Sequence, residues 1–111
     1  MIERDEVLSG EVAVLFCSTF CGDPLAYAAD SATMVAMAEA HPGYLGHRSV
    51  RQENGQGITV SWWRDAEAAA AFGAEVAHRL IQRRGRERYY ADYLLEVAEV
   101  RRRVRFTREG A

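Results

Sequence analysis

The chain has 111 residues, 49% of them hydrophobic, and a formal net charge of −2. That length serves one domain with a small core and excludes two. The slightly acidic balance excludes a general nucleic-acid binder, which needs a basic face to meet phosphate. Met1 to Gly10 is acidic and polar, without a charged-then-apolar leader pattern, and no apolar run approaches the roughly 20 residues that cross a bilayer. A cytoplasmic protein with no membrane contact is therefore expected. All 14 basic residues are Arg, which reads as a compositional bias more than as a site, although Arg suits planar anionic ligands.

Glu11 to Phe20 is rich in Val, Leu, Phe and Thr and predicts a strand, closed by Gly22, Asp23 and Pro24. Cys17 and Cys21 fall at this strand; along it they would stand about 13 Å apart, beyond disulfide reach. No further Cys or His is near enough in sequence to complete a metal site, and none is expected. Asp23 and Pro24 suit the N-cap and first residue of a helix running to Ala40, with Leu25, Ala29, Met34 and Met37 on one stripe and His41, Pro42 and Gly43 as its stop.

Tyr44 to Glu53 and Gly57 to Trp63 read as a hairpin around Asn54-Gly55, the pair that best tolerates the positive φ of a two-residue type I′ turn. Alternation along the second strand sends Trp62 and Trp63 to opposite faces. Asp65 is the expected N-cap of a helix from Ala66 to about Arg84, with Phe72, Val76, Leu80 and Gln82 inward. A last strand is expected over about Tyr93 to Phe106, with a bulge where its apolar phase changes between Val97 and Val100. Arg101, Arg102, Arg103 and Arg105 read there as a solvated or interfacial face, countered by Glu96 and Glu99. The order β-α-β-β-α-β is the α+β, ferredoxin-like arrangement with an antiparallel sheet. It fills one domain with a core of about residues 11–106, an acidic N-terminal tail and a short C-terminal tail.

Pro42-Gly43-Tyr44-Leu45-Gly46, Gly57-Ile58-Thr59-Val60-Ser61-Trp62-Trp63, and His78 through Gly85-Arg86-Glu87-Arg88-Tyr89-Tyr90 resemble the antibiotic biosynthesis monooxygenase family, in its small bacterial branch. The resemblance runs in order from about Val12 to Phe106. It implies a homodimeric α/β barrel paired through the sheet face, and a pocket between sheet and helices for an aromatic small molecule. The activity it implies is oxidation of a quinol or phenol by O₂ without a cofactor. Relatives that open haem hold it with a strand-one Asn, a helix Trp and a His further along that helix. This chain offers Ser18 or a neighbour, Phe72 and Gln82 at those places, and Gln is a poor iron ligand, so haem is a minor alternative.

His78 is the candidate base, because imidazole titrates near neutral pH and can take the proton lost when a quinol becomes a reactive anion. Trp62, Trp63, Phe72, Ser18, Gln82 and Tyr90 are the candidate substrate contacts. Tyr89 and Tyr90 also fit an anchor at a dimer or sheet edge, and His47 fits an exposed or interfacial position. No nucleotide-binding glycine motif is present. A non-catalytic small-molecule-binding dimer of the same fold is the competing reading.

Overall fold

The computed structural model describes residues 2–76 and 89–110. Strand β1 (Val12–Phe20) leads to helix α1 (Pro24–Ala40), the hairpin strands β2 (Tyr44–Arg51) and β3 (Gln56–Trp63), helix α2 (Ala66–Val76) and strand β4 (Tyr90–Glu99). The four strands form one antiparallel sheet in the order β2-β3-β1-β4. This is the ferredoxin-like α+β architecture expected from the element order.

Local chemistry sets the helix starts. The Asp23 carboxylate accepts from the Leu25 amide at 3.0 Å with Pro24 behind it, and the Asp65 carboxylate accepts from the Ala68 amide at 2.8 Å. Each cap satisfies a backbone donor that has no partner inside the helix and contributes about 1 kcal/mol. At the far end of α1 the His41 ring accepts from the Gly43 amide through Nδ1, at 3.0 Å. The chain then turns into β2 against α2, where a side chain on Gly43 would collide with Ala68.

The hairpin forms where expected but by another turn. The strands close on Gln52 and Gln56, Gly55 donates to the Gln52 carbonyl at 3.0 Å, and Gly55 alone in this loop has positive φ, +90°. Glu53-Asn54-Gly55 is thus a three-residue connection, a turn in ordinary helical geometry followed by a left-handed glycine, and Asn54 is not left-handed. Asn54 instead accepts from the Gln56 amide at 3.0 Å. Gly55 has no room for a Cβ, which would fall 2.5 Å from the Phe20 carbonyl.

The core lies between the helices and one end of the sheet. Val12, Ala38, Trp63, Ala68 and Ala69 are buried together, with Val14, Tyr44 and Phe72 packed on them. Small residues on α2 let the helix sit close enough to the sheet for the Trp63 indole to fill the gap; Trp63 is 1% exposed. Trp62 points to the opposite face, as the alternation predicts, since β3 pairs Val12 with Trp63 and Ala13 with Trp62. The stripe expected on α1 does not hold at its start: Leu25 is 83% exposed, and the fully buried position is Ala38.

The last strand is shorter than the sequence suggests. It pairs with β1 only to Glu99; the Val100 amide still donates to the Glu11 carbonyl at 3.0 Å, and the stretch that follows to Phe106 belongs to no strand. No bulge occurs between Val97 and Val100; the phase change there marks the strand's end. Nor are its arginines countered by Glu96 and Glu99. Arg103 pairs with the fully buried Glu11 and donates to the Glu6 carbonyl, and Arg105 bonds Asp5 at 2.6 Å and the Ile2 carbonyl at 2.8 Å. Both terminal segments are therefore fastened to each other, with Ile2 buried.

Candidate functional site

The sheet surface under the helices is divided lengthwise by chemistry. Pairing places Phe16, Ser18 and Val14 of β1 on the same face as Thr59 and Ser61 of β3, His47, Ser49 and Arg51 of β2, and Tyr93, Leu95 and Val97 of β4. The β2 and β3 half is polar: Ser49 and Thr59 share a hydrogen bond at 2.7 Å, and the Trp63 indole donates to the Ser61 hydroxyl at 2.9 Å. The β1 and β4 half is apolar, with Phe16 against Tyr93 at 5.4 Å and against Tyr90 at 5.2 Å. Such a floor suits a flat ring system bearing polar groups along one edge.

Two register shifts aim the tyrosines into this space. Between β2 and β3 the pairing skips Leu45, so that Tyr44 joins the Trp63 face and stands beside His47, with its hydroxyl 2.6 Å from the ring Nδ1. Between β1 and β4 it skips Ala91, so that Tyr90 comes opposite Phe20 on the helix side. Without that extra residue Tyr90 would lie on the other face of the pleat.

Arg51 ends β2 in the middle of an aromatic nest. Its guanidinium carbon lies 5.7 Å from the Tyr27 ring centroid and 5.9 Å from that of Phe20. Its Nη2 donates to the hydroxyl of the buried Ser18 at 2.8 Å, and its Nη1 donates to the Gly55 carbonyl. Tyr27 contacts Phe20, Tyr89 and Tyr90, and Tyr89 donates to Asp30 at 2.6 Å. Burial and the bond to Tyr27 push the Tyr90 phenol well above its ordinary ionisation range, while the charge of Arg51 pulls the other way. Burial, followed by the charge of Glu39, also raises Tyr44. Both phenols stay neutral at physiological pH and act as hydrogen-bonding groups.

No family model matches the chain. The protein YqjZ of Bacillus subtilis (strain 168), itself uncharacterized, is 35% identical over 94 residues, which span 85% of this chain and 82% of that protein. The chain belongs to the YqjZ family. Among solved structures, SnoaB of Streptomyces nogalater, described as a cofactor-independent oxygenase, superposes with a TM-score of 0.70 at 18% identity, covering 84% of this chain and 95% of SnoaB. PA3566 of Pseudomonas aeruginosa superposes at 0.66 with 19% identity, over 84% of this chain and 96% of that one. A structure described as an antibiotic biosynthesis monooxygenase superposes at 0.62 with 16% identity, over 80% and 97% of the two chains. The YqjZ-family chain thus shares the fold of antibiotic biosynthesis monooxygenases.

In this YqjZ-family protein the candidate residues separate. Ser18, Tyr90 and the half-buried Phe72 lie on the helix side of the sheet, Ser18 and Tyr90 around Arg51 and Phe72 against Trp63. Trp63 is occupied by the core, and Trp62 looks out from the far face. His78 and Gln82 lie outside the described residues. Tyr89 is buried just before the edge strand β4 and donates to Asp30 of α1. His47 is half-buried on the cleft floor. The site residues that the sequence does not announce are Arg51, Tyr27 and the Tyr44–His47 pair. The bulges and the sheet order place them on the helix side of the sheet, the Tyr44–His47 pair at the Trp63 end of β2 and Arg51 with Tyr27 at the Ser18 end.

A depression of about 430 Å³ lies on the far face over Cys17, Thr19, Asp92 and Leu94, and another of about 480 Å³ lies between α1 and α2 beside Met37, His41 and Glu75. Both cysteines are free, with Cys21 exposed just past the end of β1. Among the described residues no group of three His, Cys, Asp or Glu side chains is placed to hold a metal. Among them also, no helix is long and apolar enough to cross a membrane.

Proposed function

We propose that this YqjZ-family protein oxidises an aromatic quinol or phenol with O₂, without metal or organic cofactor. The observation that carries the reading is the divided floor, an apolar aromatic half beside a row of hydroxyls, imidazole and guanidinium, in a fold shared with a cofactor-independent oxygenase. A bound quinol would lie across the Phe16 side and present its oxygens to the polar row.

The chemistry begins with loss of a phenolic proton to His78. The resulting anion passes one electron to O₂, and the radical pair closes a carbon–oxygen bond. Collapse of that peroxide inserts one oxygen atom and releases the other as water, so the four electrons taken by O₂ come from substrate. An apolar floor favours this sequence because it keeps water from the anion and from the peroxide. The neutral phenols of Tyr44 and Tyr90 can donate to a developing oxyanion without being ionised themselves.

The functional unit in this reading is a homodimer joined through the far sheet face. Trp62, Val60, Ile58, Leu15, Cys17 and Leu94 form an apolar strip on that face, flanked by Arg48, Asp92 and Glu96, and such a strip favours a partner.

Oxygen uptake with a panel of anthrones and quinols tests the activity. Wild-type protein is expected to consume O₂ well above the uncatalysed rate, and His78→Ala to lose most of that excess. Identical uptake by the two proteins would sink the assignment of His78. No uptake above background with any member of the panel would favour a binding protein of the same fold, a reading supported by the loss of Trp63 to packing.

A further inference from the structure

We propose that Arg51 anchors an anionic oxygen group, a carboxylate or an acidic phenolate, carried by the aromatic ligand of the cleft. The proposal rests on reading the cleft as an aromatic-ligand site and adds the charge class of that ligand.

Arg51 is a half-buried cation whose hydrogen-bond acceptors are all neutral: the Ser18 hydroxyl, and the Ser18 and Gly55 carbonyls. No carboxylate among the described residues lies within ion-pair distance of it. Asp30, the acid on the adjoining turn of α1, receives the Tyr89 hydroxyl instead. Guanidinium in an aromatic setting is ordinarily paired with a carboxylate or left to water. Here Nη1 and one N–H of Nη2 are engaged, while Nε–H and the second N–H of Nη2 have no acceptor among the described residues. An arginine edge in this state matches a carboxylate with two parallel hydrogen bonds.

The surroundings fix the cation in place. Ser18 is buried near the end of the inner strand β1 and holds Nη2, and the rings of Tyr27 and Phe20 bear on the guanidinium carbon. Holding the head group in advance reduces the ordering cost of binding. The Tyr90 phenol, kept neutral, adds a hydroxyl close enough to sense the Arg51 charge. Arg51 also lies on the helix side, so association through the far sheet face would not supply its counter-charge.

The test is calorimetric binding of matched aromatic pairs, naphthoate against naphthamide and anthraquinone carboxylate against its carboxamide. Wild-type protein is expected to bind each acid about tenfold more tightly than its amide, which corresponds to about 1.4 kcal/mol. Added salt should erode the affinity for the acids and leave the amides unchanged. Arg51→Gln should equalise each pair, and Arg51→Lys should keep part of the preference. Equal affinity in the wild type, a preference that survives Arg51→Gln, or no saturable binding of any acid would each overturn the proposal. The salt dependence needs no variant, so a folding defect cannot hide the answer. Failure of O₂ uptake alongside a clear acid preference would remove the oxidation reading and leave this one standing.

Discussion

Trp63 lies on Phe72 with ring centroids 4.7 Å apart and planes 27° apart, so the indole that ends β3 is held by α2 and is closed to anything entering the cleft. Of the two aromatics that a haem-type or ligand-stacking reading would most want, Trp63 is thereby committed to the fold, while Phe72 gives it one ring face and stays half-buried. Trp63→Ala should cost about 3–5 kcal/mol, since it opens a cavity under α2. Trp62→Ala should cost the isolated chain far less. Denaturant melts of both variants at a single protein concentration check the contrast.

Arg103 and Glu11 form a pair in which the carboxylate is fully buried and also accepts from the Leu8 amide at 3.1 Å. Replacing Arg103 with Met leaves that carboxylate buried without its cation, and the expected loss is about 3–5 kcal/mol. The double variant Arg103→Met, Glu11→Gln should recover much of it. A double-mutant cycle in urea measures the coupling, and additive losses would show that the pair contributes little.

Tyr90 has its ionisation raised mainly by burial, then by Tyr27, against the opposing effect of Arg51. A phenol ionises near pH 10 in the unfolded chain, and in the folded chain it holds its proton to higher pH. Its contribution to stability is complete below about pH 10 and is lost as pH rises from there through the folded value. Stability should therefore fall with pH above about 10, less steeply in Tyr90→Phe. Tyrosinate absorbance followed alongside unfolding should show part of the tyrosine signal appearing only when the fold is lost.

Leu94 is 57% exposed on the far face of β4 and makes no part of the core. Leu94→Arg should leave the chain's own packing nearly intact and separate the proposed dimer. Light scattering on eluting protein is the measurement. A dimer that persists unchanged through this variant and through Val60→Arg would remove the far face as the contact.

Much of the architecture was legible because its signals are local. Asp23-Pro24, Asp65 and the Asn54-Gly55 pair act on their immediate neighbours, and the alternation of β3 assigns Trp62 and Trp63 to their faces without knowledge of the rest. What failed depends on partners distant in sequence. Leu25 looks like a core position by spacing, but α1 meets the sheet nearer its other end, at Ala38. The strand expected to reach Phe106 stops at Glu99, because β1 offers no partner beyond Val12 and the arginines turn to the N-terminal segment. The site was least legible: Ser18 and Tyr90 stand among the expected contacts, but Arg51 and Tyr27 join them from two other elements, and the skips at Leu45 and Ala91 leave no mark in composition.

The strand order β2-β3-β1-β4 also bears on how the protein folds. Its first strand is one of its two inner strands, flanked by β3 and by β4 from the far end of the chain. Only the β2–β3 hairpin pairs neighbours in sequence, and closing the long loops that bring β1 and β4 together carries an entropic cost before any contact repays it. During synthesis β1 emerges first and waits unpaired, with Val12, Val14, Leu15 and Phe16 uncovered, until the hairpin and then β4 have been made. The nest around Arg51, which needs β1, β2, α1 and the bulge in β4, is accordingly among the last parts of the molecule to assemble.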